Sequence, residues 1–467
     1  VRARESLPRL LARALGTFAQ AFRTPDLRKK LLFTLGIIVL FRFGANLPAP
    51  GISEANVKYC SGLASSSSDS AAQVYGMLNV ISGNALLHVA VFAVGIMPYI
   101  TASIIMQLLS QVVPRLERLK NEGKSGTSKI TQYTRYLTVG LAVLECAGYV
   151  QLARSGNLFP GTGCSAVSHP LIPRPSVVTI ATMLATMVAG TAVVMWLGEL
   201  ITDRGIGNGM SVLIFTSTIS YIPGQLEQVY LTKGAWYVMV AVAVGLGVIA
   251  FVVFMEQAQR RLPVQYAKRM IGRRMYGGAA TYIPVKVNQA GVVPVIFASS
   301  LLYIPQLGTL VFGNQGNPQG WTSWIGRYLS PAAASSSATT AACYFTAWFL
   351  LIVGFTYFYA SITFNPVEVA DTMQKYGGFL PGIRPGRPTA GYLGYVLRRL
   401  TAAGAVYLGV IALFPLVTLN LIGIGSEFSS RGTSLGTSLL IMVGVGLDTV
   451  KQIEGQLRQH TYEGFLR

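Results

Sequence analysis

The chain has 467 residues, of which 52% are hydrophobic and 12% charged, with a mean hydropathy of +0.50. Soluble globular chains carry roughly 25% charged residues, so composition excludes an ordinary water-soluble domain and points to an integral membrane protein. The net charge of +20 fits a nucleic acid, an anionic lipid or an acidic protein as partner, and only its distribution along the chain can choose among them.

Residues 1–30 are basic and amphipathic, with no short apolar core followed by a small-residue cleavage site. No cleavable signal peptide is read there. A span needs about 20 mostly apolar residues, because the hydrocarbon core is about 30 Å thick and a helix rises about 1.5 Å per residue. By that measure the expected spans are 31–48, 91–109, 133–152, 177–198, 210–223, 236–256, 289–306, 342–362, 400–420 and 436–450. Pro98, Pro294 and Pro415 fall inside spans, where neighbouring helices or water must satisfy the freed backbone carbonyls, so a bundle is expected.

Between the spans, residues 75–90 (YGMLNVISGNALLHVA) are too polar and too short to cross a bilayer. Periodicity leaves two readings open: an interfacial or re-entrant helix, and a movable segment within a cavity of the bundle. Residues 205–209 (GIGNG) lack the lysine of a phosphate-binding loop and are read as a tight turn opening the next helix. Residues 61–70 and 332–341 are Ser/Ala-rich connectors with no particular chemistry. The segment 256–286 carries seven basic residues and one acidic, interleaved with tyrosines. That composition suits phosphate contacts or a charged protein, and a simple topology anchor remains an alternative.

Lysine and arginine flanking spans stay in the cytoplasm. With the N-terminus inside, 29 of the 37 basic residues fall in cytoplasmic segments, only six lie outside, and Arg42 and Arg135 lie within spans. A missed or invented span would invert this pattern downstream, so an even number of spans with both termini cytoplasmic is expected. Ten spans divide into an N-terminal half (31–223), a hinge loop (224–235) and a C-terminal half (236–450), followed by a tail (451–467). Five being odd, the halves enter the membrane from opposite sides, which permits an inverted repeat.

Ionisable residues deep in spans, which mark enzymes and coupled transporters, are few; Glu145 and Arg42 are the main candidates, and both fall near the outer halves of their helices. His88, His169 and His460 do not cluster with carboxylates or cysteines. Cys60, Cys146, Cys164 and Cys343 lack zinc or redox spacing, so no metal or other cofactor is read. The topology puts Cys60 and Cys164 outside, where a disulfide is permitted; the alternative is that they are small packing residues or incidental thiols.

Residues 95–109 (GIMPYITASIIMQLL), 122–136 (EGKSGTSKITQYTRY), 205–211 (GIGNGMS), 266–300, 365–384 (NPVEVADTMQKYGGFLPGIR) and 436–441 (GTSLLI) resemble the signatures of the SecY family, in order and over nearly the whole chain. The resemblance implies an all-α polytopic fold of about ten transmembrane helices, two inverted five-helix halves forming a clamshell around a central pore, with a short plug helix. It implies a protein-conducting channel for secretion of preproteins across, and lateral insertion of membrane proteins into, the bacterial cytoplasmic membrane. The alternative from another class is an inverted-repeat secondary transporter of a small solute.

Carried over by motif position, Ile96, Ile100, Ile214, Ile296 and Ile441 correspond to the constriction ring of the pore. Bulky apolar side chains there hinder ions by dewetting and offer a passing peptide no hydrogen bonds. Residues 75–90 correspond to the plug, including Tyr75, Leu78, Ile81, Ser82, Gly83 and Asn84, with Ile81 standing where an aromatic is common. Gln107 and Asn288 fall on the lateral-gate helices, where polar groups in apolar surroundings can bond across the closed gate. The cytoplasmic loops 257–288 (Arg260, Arg261, Lys268, Arg269, Arg273 and Arg274) and 363–399 (Arg384) correspond to the docking surface for the SecA motor or the ribosome, including its rRNA phosphates. The implied partners are SecE and SecG, SecA, the ribosome, signal-bearing preproteins, nascent membrane proteins and anionic lipids. No catalytic residue is implied, since energy would come from a partner ATPase, the ribosome or the proton motive force.

Overall fold

The computed structural model describes residues 22–64, 89–155, 170–173, 175–266, 269–271, 274–276, 281–299, 301–302, 320, 324, 328–329, 338–421 and 435–465. In the first half these form α1 (Pro25–Asn46), α2 (Glu54–Ala64), α3 (Met97–Val112), α4 (Pro114–Asn121), α5 (Lys124–Ser155), α6 (Val177–Arg204) and α7 (Gly209–Lys233). The second half opens with α8 (Ala235–Gln257), followed by β1 (Gln259–Tyr266), β2 (Arg269–Ile271), β3 (Arg274–Tyr276) and β4 (Thr281–Lys286). After a helical stretch from 293 come α9 (Ala338–Thr363), α10 (Pro366–Lys375), β5 (Gly378–Phe379), α11 (Arg387–Leu421) and α12 (Leu435–Phe465).

Each expected span is helical over most of its described residues; 47–48, 91–96 and 289–292 are instead bridge or turn. Among the described residues, four helices are long and apolar enough to cross a membrane: Val177–Arg204, Ala235–Gln257, Thr339–Lys375 and Arg387–Pro415. α8 shows why burial is not needed for such a helix. Trp236, Met239, Leu246 and Phe254 are all exposed on it, an arrangement stable against lipid and unfavourable against water.

The helices approach closely where they carry glycine. A Cβ at Gly190 of α6 would run into the carbonyl of Val91, and one at Gly209 of α7 into the carbonyl of Gly198. Small residues at these crossings let backbones meet, which matters in lipid because packing replaces the hydrophobic drive between helices. The turn between α6 and α7 follows its sequence: Gly207 has φ +90°, and the Asn208 side chain accepts from the Met210 amide at 3.1 Å as an N-cap. Asn365 caps α10 in the same way, accepting from Val367 N at 3.1 Å with Pro366 in the first turn.

The connection expected as a hinge loop over 224–235 is different in the structure. Helix α7 continues through Lys233, and the chain breaks only at Gly234, with φ +94° and ψ 176°. Gln225, Leu226, Glu227, Gln228, Leu231 and Lys233 are good helix formers, and the backbone conformation at 234 is one that only glycine adopts readily.

Two apolar clusters occupy the bundle. One is centred on the first half and takes in Phe297 and Ile441 from the second; the other joins α8, α9, α11 and α12 around Trp348, Ile352 and Leu408. A third, outside the bundle, is built on the loops 257–288 and 363–399. There β1 pairs antiparallel with β4 (Arg261 opposite Pro284) and with β5 (Gln265 opposite Phe379), giving a sheet of order β4-β1-β5. Leu262 and Val264 alternate inward from β1 and meet Val285, Met373, Leu380 and Leu393, while Arg261 and Pro263 between and beside them face out.

Candidate functional site

Five isoleucines separated by up to 345 residues of sequence come together. Ile96 precedes α3 and Ile100 lies in its first turn; Ile214 projects from α7, Ile441 from α12, and Ile296 from the helical stretch that begins at 293. Ile96, Ile100, Ile214 and Ile441 are buried in one cluster, and half-buried Ile296 packs against it. Phe297 beside them meets Phe355 and Tyr359 of α9 edge-on, with centroids 5.9 and 6.2 Å away. The resulting contact between the halves is aliphatic and aromatic.

A cavity of about 520 Å³ adjoins this cluster. Ile214, Ile296 and Ile441 form part of its apolar wall, and Glu256, Lys286, Asn288, Asp448 and Lys451 form a polar one. An apolar cluster beside a polar-walled chamber can hinder ions through the cost of desolvating them, without any bond that must be broken to part it. Among the described residues no group of three or more His, Cys, Asp or Glu could hold a metal ion.

Gln107 and Asn288 do not bond to one another. The Gln107 amide donates to Ser103 Oγ at 3.3 Å within α3. The Asn288 amide donates to the buried Glu256 carboxylate and, at 3.1 Å, to the Gly291 carbonyl. Asn288 thus ties the end of α8 to the start of the 293 helix, closing the base of the β1/β4 hairpin. Among the described residues its buried Oδ1 has no hydrogen-bond partner, and neither does Gln289 Oε1. Nothing in the periodicity of the sequence signals the Glu256–Asn288 pair, since the two are 32 positions apart with strands β1–β4 between them.

Of the basic loop residues, Arg260 and Arg261 are exposed on β1, with the Arg261 guanidinium 4.8 Å from the Tyr282 ring centroid. Arg384 is exposed on the turn before α11, where its carbonyl accepts from Thr389 Oγ1 at 2.8 Å. The β1–β5 pairing therefore puts the two inner loops on one platform. Arg269 and Arg274 lie on the strands of the short β2/β3 hairpin, whose register sets Ile271 opposite Arg274; Lys268 and Arg273 lie outside the described residues. So do Tyr75, Leu78, Ile81, Ser82, Gly83 and Asn84. What is described is the far root of that segment: Ala90 forms a β-bridge with Pro48, Ala49 N donates to Val89 O at 3.0 Å, and Val91 N to Leu47 O at 2.8 Å.

One further feature escapes sequence reasoning. Arg135 of α5 makes a bidentate pair with Glu199 of α6, at 2.8 and 2.7 Å, which answers for one of the two charges expected within spans. Cys60 is disulfide-bonded, whereas Cys146 and Cys343 are free thiols.

The family model described as SecY matches residues 90–450. A protein translocase subunit SecY of Streptomyces scabiei is 57% identical over 97% of this chain and 100% of its own length. One of Mycobacterium tuberculosis (strain ATCC 25618 / H37Rv) is 52% identical over the same shares. In fold, the chain is similar to a solved protein conducting channel, with a TM-score of 0.62, 18% identity and 91% of both chains covered. It is also similar to Sec61 in the canine ribosome-channel complex from the endoplasmic reticulum, with a TM-score of 0.59, 18% identity and 91% of both chains covered. The chain belongs to the SecY family.

Proposed function

We propose that this chain is the pore-forming subunit of a protein translocase of the bacterial cytoplasmic membrane, passing preproteins across it and releasing membrane segments sideways into lipid. The observation that carries this reading is the meeting of isoleucines from four separate helices in one apolar cluster beside a polar-walled cavity. Such a ring grips any sequence without reading it, so polar chain passes through while an apolar signal helix partitions into the bilayer. A small-solute transporter is not favoured, because the contact between the halves is aliphatic where a coupled transporter needs ionisable groups.

In this reading Ile96, Ile100, Ile214, Ile296 and Ile441 are the constriction, residues 75–90 the plug, and Gln107 and Asn288 lie along the lateral gate. The halves are 31–223 and 236–450, and both termini lie in the cytoplasm. The loop 257–288 and the loop 363–399 form a docking surface. Its exposed Arg260, Arg261 and Arg384 suit an acidic ATPase face or rRNA phosphates. Lys268, Arg269, Arg273 and Arg274 extend the same charge. SecE and SecG complete the membrane complex, and anionic lipids meet its basic inner surface. The channel itself is not an enzyme; SecA, ribosomal elongation or the proton motive force supplies direction.

The deciding experiment is ATP-dependent transport of a signal-bearing preprotein into vesicles containing this chain, SecE, SecG and SecA, with Arg384→Glu beside wild type. Transport by wild type and its loss in the variant support both the channel and the docking roles. An intact complex with active SecA that moves no preprotein refutes the channel reading.

A further inference from the structure

At the end of α8 the sequence keeps an acidic side chain where two forces oppose it. Glu256 lies in the last turn of that helix, against the negative end of its dipole, and no basic residue shares the turn. It is also buried, and a buried carboxylate persists only where charge-assisted bonds or counter-charges compensate it. Lys286 and Lys451 attract it electrostatically and Asp448 repels it. Its hydrogen-bond donor is Asn288, buried as well, whose amide uses one N–H on the Glu256 carboxylate and the other on the Gly291 carbonyl at 3.1 Å.

Asn288 stands at the root of the helix that carries Ile296. The β1/β4 ladder runs down to Gln259 opposite Lys286, Val287 N then donates to Ala258 O at 3.0 Å, and the Glu256–Asn288 bond adds a further rung beyond it. From Asn288 the chain turns through Gly291, at φ +63°, into the helix that begins at 293, where Val295 N and Ile296 N donate to Val292 O. The root is packed as well as bonded. A Cβ at Gly404 of α11 would run into the Val287 carbonyl, and one at Gly444 of α12 into the Val292 side chain. Such packing limits approach but sets no direction, whereas a hydrogen bond to a carboxylate is strong and directional.

We infer that Glu256 is a positioning residue for the constriction: its carboxylate fixes the root of the 293 helix to the base of the β1/β4 hairpin, so that the hairpin and the helix bearing Ile296 move as one body. The inference rests on the reading of Ile296 as part of the seal and of the hairpin as part of the docking surface. An undocked hairpin then holds Ile296 against the apolar cluster, and a partner that tilts the hairpin through Arg260 and Arg261 carries Ile296 with it.

The test uses the intact complex of this chain with SecE and SecG, in nanodiscs and planar bilayers. Glu256→Leu keeps the bulk and removes the acceptor, Glu256→Gln keeps an acceptor, and Asn288→Leu removes the donor. In Glu256→Leu, amide exchange across 287–299 is expected to quicken by about tenfold to a hundredfold, the equivalent of one hydrogen bond to a charged group, while helical content and exchange in α5 and α6 stay at wild-type levels. Closed-state conductance without SecA rises several-fold in the same variant. Glu256→Gln recovers most of both losses. The double variant Glu256→Leu/Asn288→Leu is no worse than either single, because both remove one bond. Saturating SecA alters exchange across 293–299 in wild type and not in Glu256→Leu. Should Glu256→Leu not assemble, Asn288→Leu gives the same readings. Wild-type exchange and conductance in Glu256→Leu, additive effects in the double variant, a Gln variant as leaky as the Leu one, or an equal response to SecA in wild type and Glu256→Leu overturns the assignment. Preprotein transport by wild type is scored separately: its absence with active SecA refutes the channel reading, while exchange still reads the tie itself, so the two failures are distinguishable.

Discussion

Ile214 on α7 is, taken alone, an ordinary apolar residue of a membrane helix, and the same holds for Ile441 on α12. Their significance lies in company, because each touches a cluster that also contains Ile96, Ile100 and Phe297, with Ile296 packed against it. If dewetting of that cluster seals the closed pore, a polar side chain there admits water and ions. Ile441→Asn is expected to raise closed-state conductance in planar bilayers several-fold, while Leu439→Met, in the neighbouring cluster, leaves it unchanged. Equal conductance of Ile441→Asn and wild type excludes Ile441 from the seal. The Arg135–Glu199 pair is a matter of stability. A double-mutant cycle with Arg135→Ala and Glu199→Ala, read by unfolding in detergent, is expected to give a coupling of about 0.6 kcal/mol, the average for polar contacts between membrane helices. A coupling indistinguishable from zero means that the half-exposed arginine gains nothing from its partner over solvent.

Among the elements, β1 has the widest consequences, because one strand serves both inner loops. Its alternation leaves Arg261 outside and buries Leu262 and Val264 against Met373 of α10 and Leu393 of α11. Val264→Asp places a charge in this small core, with no counter-charge among the buried residues of the cluster, and is expected to detach the sheet from α10. Far-UV helical content then stays near wild type, while stimulation of SecA ATPase by the channel falls at least as far as in Arg384→Glu. Retained stimulation separates docking from the sheet. Gly234 makes a different demand: its backbone, φ +94° and ψ 176°, is essentially closed to residues with a Cβ. Gly234→Ala is expected to cost about 1–3 kcal/mol of stability, measured as a lowered Tm of the detergent-solubilised complex. The apolar character of the helices was legible in the sequence, as was the turn at 205–209 that opens the next one; the caps at Asn208 and Asn365 came only with the structure. The helical continuation through 224–233 was not, because Pro223 and Gly224 mimic a break, while the actual break needs only the single glycine at 234.

For the molecule as a whole, the asymmetry of lysine and arginine, read with an expected even number of spans, predicts one orientation. An alkaline phosphatase fusion after residue 320 is expected to be active and fusions after 276 or 467 inactive, since the enzyme needs the oxidising side to form its disulfides. Activity of the fusion at 276 would put the basic hairpin outside and remove its docking role. Hydropathy and charge asymmetry were determined by the sequence alone, because each is a property of neighbouring residues and of their exchange between water and lipid. Which side chains meet was decided only in three dimensions. Ile96 and Ile441 share one cluster, Gln265 pairs with Phe379, and Asn288 finds Glu256, all across separations that leave no period in the chain. The physical reason is that lipid solvates an apolar helix equally well on every face, so hydropathy does not say which face turns inward; close packing at Gly190 and Gly209 and the few buried hydrogen bonds make that choice.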